Sequence, residues 1–166
     1  MDIITRPALD SELDAAGHLT AESFIGDGHV GREEPYASRL RDGRDRAEQA
    51  ELLVAVDPET GALLGSVTFA GPGTPYASLA REREGEFRML AVTPAARGRG
   101  AGEALVRACL ERGRELGLDR MVLSTQTDMV RAHRIYERLG FVRTPERDWS
   151  PMPGIELMTY ALELGQ

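Results

Sequence analysis

Gly98, Gly100 and Gly102 occupy alternate positions in the run Arg97-Gly98-Arg99-Gly100-Ala101-Gly102-Glu103. Glycines let a main chain approach a ligand without Cβ atoms in the way. The residues that follow, Ala101 to Leu116, read as a helix, whose first turn offers unpaired N–H groups and the positive end of a dipole. Arg97 and Arg99 add fork-shaped donors that match phosphate oxygens. The chemistry this pattern predicts is a pyrophosphate cradle. Nucleotide-binding loops fit it badly. A Walker loop ends in Gly-Lys-Ser/Thr, and no lysine lies near these glycines. The dinucleotide fingerprint G-x-G-x-x-G also fails, since the glycines stand at 98, 100 and 102.

The arrangement Arg97-x-x-Gly100-x-Gly102 resembles the acetyl-coenzyme A signature R/Q-x-x-G-x-G/A of the GNAT family of N-acetyltransferases. Glu86-Phe-Arg-Met-Leu90-Ala91-Val92 resembles that family's strand before the loop, and Arg120 to Ser124 its next strand. Ala132-His-Arg-Ile-Tyr136-Glu-Arg-Leu139-Gly140-Phe141 is similar to its A-x-x-x-Y-x-x-x-G-F helix and turn. The resemblance covers Glu86 to Phe141 in the family's order. It implies an α/β fold with a mixed, mostly antiparallel central sheet flanked by helices, and a splayed parallel strand pair that binds acetyl-CoA. It further implies acetyl-CoA as co-substrate, no metal, and direct attack of an amine on the thioester. The cofactor-binding residues it implies are Leu90, Ala91, Val92, Arg97, Gly98, Arg99, Gly100, Ala101, Gly102 and Glu103.

Acetyl transfer to an amine needs a bound thioester, an amine stripped of its proton and a proton for the departing thiolate. An exposed lysine amine, with a pKa near ~10.4, is almost wholly protonated at neutral pH, so a general base helps. Tyr136 is the expected general acid, because a tyrosine hydroxyl keeps its proton at pH 7. The competing reading is a core aromatic one turn from Leu139. Glu86 is the expected general base, as the resemblance implies for a glutamate at this strand position. The competing reading is a solvated strand-end carboxylate that follows the charged run Arg81 to Glu84. Strict alternation puts Glu86, Arg88 and Leu90 on one strand face. Backbone groups of Leu90 to Val92 are expected to pair with the pantetheine arm, with an N–H at Leu90 or Ala91 as oxyanion donor. Many members of the resembling family carry an asparagine where this chain has Met129. Met129 cannot make that residue's hydrogen bond to the pantetheine, so either Thr127 or the main chain substitutes, or the arm is held less firmly.

With 166 residues, 42% hydrophobic and 28% charged, the composition is that of one soluble globular domain spanning 1–166. The single cysteine, Cys109, excludes an internal disulfide, and His18, His29 and His133 lack metal-ligand spacing. No apolar run reaches the ~20 residues of a membrane span, and the N-terminus does not read as a signal peptide, so a cytoplasmic enzyme is expected. The net charge of −7 argues against non-specific nucleic-acid binding. A small-molecule amine or a peptide amino group is the expected acceptor, and a monomer or homodimer the expected state. A non-catalytic acyl-CoA-binding module is the alternative, keeping the cradle and dispensing with Glu86 and Tyr136.

The elements that must position these groups follow from periodicity. Ile3 to Pro7 reads as a strand, with Asp10 or Ser11 capping a helix that carries Leu13, Ala16, Leu19 and Phe24. Tyr36 to Ala50 reads as one charged helix on the rim. Leu52–Val56 and Leu63–Phe69 form a hairpin around the turn Asp57 to Gly61. A long Gly/Pro-punctuated loop, Gly71 to Gly85, precedes the Glu86 strand. Leu105, Cys109 and Leu116 mark the buried face of the cradle helix, which Gly117 ends. Phe141-Val142 begins the penultimate strand and Ile155 to Leu162 forms the last, with Trp149 closing the core or lining the acceptor pocket. His133 is expected on the surface.

Overall fold

A computed structural model describes residues 2–165. Eight strands form one sheet: β1 (Ile4–Pro7), β2 (Glu51–Val56), β3 (Leu63–Ala70), β4 (Glu84–Val92), β5 (Arg120–Gln126), β6 (Val142–Arg143), β7 (Trp149–Met152) and β8 (Ile155–Glu163). Their order is β1-β2-β3-β4-β5-β8-β6, with β7 also paired to β8. All pairings are antiparallel except β4–β5. The helices are α1 (Leu13–Gly26), α2 (Pro35–Arg41), α3 (Gly43–Gln49), α4 (Ala101–Glu115) and α5 (Val130–Arg138).

Two apolar layers flank the sheet. On one face Phe69, Phe87, Met121 and Leu123 meet Leu105, Val106 and Cys109 of α4 and Tyr136 of α5. On the other, Ala70, Met89 and Ala91 meet Ala21 and Phe24 of α1 and Ala37 and Leu40 of α2. The end of the sheet is covered by Leu13 and Ala16 against Leu52, Val54 and Val56.

Several local expectations change. The helix predicted over Tyr36 to Ala50 breaks at Asp42, whose carboxylate accepts from Asp45 N at 3.0 Å and starts α3. Its inner side is not a rim: Ala37, Leu40 and Arg46 are fully buried. Neither Asp10 nor Ser11 caps α1; instead the Glu12 carboxylate accepts from Leu9 N at 2.9 Å. Leu116 is exposed, because the helix ends at Glu115 and Gly117 turns the chain away at φ 73°. β7 was not expected, since its residues Trp149-Ser-Pro-Met152 lack alternation and hold a proline. His133 points inward, with Nε2 at 3.0 Å from Gln126 O and 3.2 Å from Thr125 Oγ1.

β4 and β5 diverge, and this positions the site. They pair only at Glu84–Arg120, Gly85–Met121 and Glu86–Val122, near their N-terminal ends. Beyond Glu86, β4 carries a bulge: Met89 adopts φ 58°, and the register with β3 slips between Thr68–Arg88 and Ser66–Ala91. A bulge inserts one residue and reverses the alternation after it. Leu90 therefore packs with Phe87 and Val92 toward α4, and not on the face of Glu86 and Arg88, which corrects the strict alternation expected above.

Candidate active site

The cradle turns on two left-handed glycines, Gly98 at φ 82° and Gly100 at φ 89°. A Cβ at either would meet nothing within 4 Å, so the requirement is conformational and the space above them is open. Gly100 caps α4, leaving the first-turn N–H groups facing that space. Gly102 has a different reason to be glycine. A Cβ there would come within 2.9 Å of Ile135 Cδ1, so it permits close approach of α4 to α5.

The cradle opens into a cleft of about 820 Å³ that runs along Leu90, Ala91 and Val92 between α1, α4 and α5. Arg97, Gly98, Gly100, Ala101, Gly102 and Glu103 all line it. Arg99 does not; its guanidinium reaches Asp57 Oδ2 at 3.2 Å in the β2–β3 turn. Arg97 bonds Asp27 Oδ2 at 2.7 Å and Ser23 Oγ at 3.4 Å, tying the cradle to the end of α1. Glu103 accepts from Arg138 at 2.8 Å and from Arg107, and these partners hold its carboxyl below the usual range.

Sequence reasoning missed the basic wall opposite the cradle. Arg131, Arg134 and Arg138 of α5 line the cleft. Their i, i+3, i+7 spacing is the signal that could have found them. The far rim is crossed by His29 Nδ1 and Asp128 Oδ2, 3.2 Å apart. Met129 lines the cleft and accepts from Thr125 Oγ1 at 3.6 Å through its sulfur. Thr127 is exposed and outside the lining, so its side chain does not stand in the cleft beside Met129.

Glu86 is 1% exposed, so the solvated strand-end reading is overturned. Its Oε1 accepts from Leu79 N at 2.8 Å and Ala80 N at 3.0 Å. Burial pushes its carboxyl above the ordinary glutamate range, despite those two bonds and the Arg88 charge. The neighbouring Glu84 behaves oppositely. Burial would raise it, but Arg147, the Arg81 amide and Arg120 together hold it at about 2.

Tyr136 lies behind the cleft wall, one residue after the lining Ile135. It is 5% exposed among Phe87, Phe141 and Tyr160, with ring centroids 5.7 to 5.8 Å away. Burial raises its hydroxyl well above the usual tyrosine value, so it remains protonated across the physiological range. Trp149 donates from Nε1 to Ser124 Oγ at 2.9 Å, across β8, and is half-buried. Among the described residues no group of His, Cys, Asp and Glu could hold a metal ion, and no helix is long and apolar enough to cross a membrane.

The profile of the acetyltransferase (GNAT) family matches residues 15–141. The chain belongs to the GNAT acetyltransferase family. Among its relatives, the mycothiol acetyltransferase of Salinispora arenicola is 37% identical over 142 residues, covering 83% of this chain and 43% of that protein. An uncharacterised N-acetyltransferase of Schizosaccharomyces pombe is 34% identical over 110 residues, 64% of this chain and 61% of that one. The chain thus spans less than half the length of the mycothiol acetyltransferase it matches. In fold, this GNAT chain is similar to a GNAT-family acetyltransferase of Staphylococcus aureus Mu50, with a TM-score of 0.77 at 12% identity over 99% of this chain and 100% of that one. It is similar also to yncA of Salmonella typhimurium, solved with its cofactor acetyl-CoA. That TM-score is 0.69 at 19% identity, over 100% and 96% of the two chains.

Proposed function

We propose that this GNAT domain, over residues 1–166, moves the acetyl group of acetyl-CoA to a primary amine by direct attack. The observation that carries the reading is the fork after Glu86–Val122, which opens beside a cradle of free helix N–H groups. The pyrophosphate sits over Gly98 to Ala101, with Arg97 and the α5 arginines supplying charge. The pantetheine arm runs along Leu90 to Val92, whose unpaired edge past the fork takes it as an added strand. An N–H at Leu90 or Ala91 then donates to the thioester oxygen as charge develops there.

Glu86 accepts the amine proton through water; burial raises its pKa, the direction that strengthens it as a base. Nitrogen attacks the carbonyl carbon, the tetrahedral intermediate collapses, and the C–S bond breaks. Tyr136 supplies the proton to the departing sulfur. The single cysteine, Cys109, is fully buried and its thiol is pushed up by burial, which leaves no acyl-enzyme nucleophile of that type. Initial-rate kinetics with both substrates varied test direct attack: intersecting double-reciprocal lines are expected, and parallel lines would mean an acetylated enzyme intermediate.

A further inference from the structure

Arg88 stands in surroundings that ask for a ligand. It follows Glu86 by two residues on the same face of β4, one step past the last β4–β5 rung. A half-buried guanidinium ordinarily finds a carboxylate, because an unpaired charge away from water is costly. Arg88 has no carboxylate within 4.0 Å among the described residues; its contacts are neutral and long. They are Tyr76 O at 3.3 Å, Ser78 Oγ at 3.5 Å and the Tyr36 hydroxyl at 3.5 Å, with the Tyr76 ring 5.8 Å beneath.

Two further observations point to the same place. Arg46, fully buried, donates from Nη1 to Arg39 O and Leu40 O at 2.8 Å, while its Nε and Nη2 have no partner. Its charge lies near enough to that of Arg88 for the two to repel one another, while Tyr76, Tyr36 and Asp42 favour its charged form. Thr68 stands opposite Arg88 in the β3–β4 register, and its buried hydroxyl is also without a partner. The acids nearby are engaged elsewhere: Asp45 accepts from the Tyr76 hydroxyl, Asp42 caps α3, and Glu86, which feels the Arg88 charge, accepts from the Leu79 and Ala80 amides.

We propose that Arg88 receives a carboxylate carried by the acceptor, so that the acceptors of this enzyme are amino acids and not simple amines. The inference rests on the acetyl-transfer reading above and adds the substrate class to it. Glu86 and Arg88 are about 7 Å apart along the strand at ~3.3 Å per residue. That spacing lets one small molecule offer its amine toward Glu86, through water, and its carboxylate to the guanidinium fork.

The test compares kcat/KM for leucine and phenylalanine with that for isoamylamine and phenethylamine, their decarboxylated counterparts. Wild type should favour the amino acids at least about tenfold, and R88Q should bring that ratio close to one. R88K, which keeps the charge but not the bidentate fork, should fall between them; it carries the same readout if R88Q does not fold. A second readout needs no turnover. N-acetylleucine and N-acetylphenylalanine, titrated into the CoA-loaded protein, should bind at least about tenfold more weakly to R88Q. Equal kcat/KM for both amine sets in wild type, or equal product binding with and without Arg88, would overturn the carboxylate site and leave acetyl transfer standing. Arg88-dependent product binding without turnover of any amine would overturn the transfer reading and keep the carboxylate site. Efficient acetylation of peptide amino termini, unaffected by R88Q, would overturn the amino-acid assignment.

Discussion

Glu86 faces Val122 on the last rung of the parallel β4–β5 pair, and past that rung the two strands share no backbone pairing. The residue that marks the fork is also a buried carboxylate, 1% exposed and outside the lining of the cleft. Its Oε1 is held by the amides of Leu79 and Ala80, which anchors the loop before β4 against the fork. That geometry carries a base and a loop anchor in one side chain, and the two roles separate by pH.

Glu86→Gln keeps the size and removes the proton acceptor. Turnover should fall most near neutral pH and recover as pH approaches the acceptor's own pKa, where neutral amine is abundant. Convergence with wild type near pH ~8 would indicate a peptide α-amino terminus, and convergence only above about pH 9 a more basic amine, such as a free amino acid or a lysine side chain. Initial rates between pH 6 and 10 decide it. A pH-independent loss would assign Glu86 to positioning alone.

Gly100→Asp should lower acetyl-CoA affinity at least about tenfold, or ~1.4 kcal/mol. Gly100 sits at φ 89° at the head of α4, so a side chain there is strained, and the carboxylate repels phosphate. Calorimetric titration measures it, and unchanged affinity in a folded variant would move the cofactor elsewhere.

Tyr136→Phe should leave acetyl-CoA affinity close to that of wild type while reducing kcat, by up to ~10²-fold if no water takes over the proton. The hydroxyl has no hydrogen bond to any described residue, so its removal leaves no protein partner unpaired. Equal turnover would remove Tyr136 from the mechanism and leave the proton on sulfur to water or another group.

Motifs that need a particular backbone geometry were legible in the sequence. The left-handed Gly98 and Gly100, the stop at Gly117 and the turn at Gly140 all stand where their glycines indicate, because few other residues tolerate those φ values. The core face of α4 follows from periodicity at Leu105 and Cys109, and fails at Leu116, which lies past the end of the helix. The β4 bulge was not legible. Met89 is an ordinary strand residue by composition, and only the mismatch with β3 shows that an extra residue has been inserted. The break at Asp42 was hidden because helical charge patterns run through it, and the buried guanidinium of Arg46 contradicts the usual surface placement of arginine. The α5 arginines were legible by spacing, but their meaning depends on α5 lying across the cleft from the cradle. Arg99 belonged to the motif by sequence, yet it turns to Asp57, as the β2–β3 turn happens to lie beside it.

Glu84 should be a pH-dependent staple of the fold. Its carboxyl is held at about 2 against an ordinary 4.5, so its ionised form is favoured in the native state. The stabilisation is present above about pH 5 and is lost as pH falls toward 2, on the order of ~3 kcal/mol. Glu84→Gln should lower the melting temperature at pH 7, with the gap to wild type narrowing below about pH 5 and closing only as pH approaches 2. A gap that stays constant with pH would trace the loss to packing instead of charge.

The most direct measurement follows free CoA thiol from acetyl-CoA with and without an amino-acid acceptor, with mass spectrometry of the acceptor. The account predicts thiol release that depends on the acceptor and matches N-acetylated product one for one, and that is lost with cofactor binding in Gly100→Asp. Tight acetyl-CoA binding with no acetylated product from any amine would contradict it.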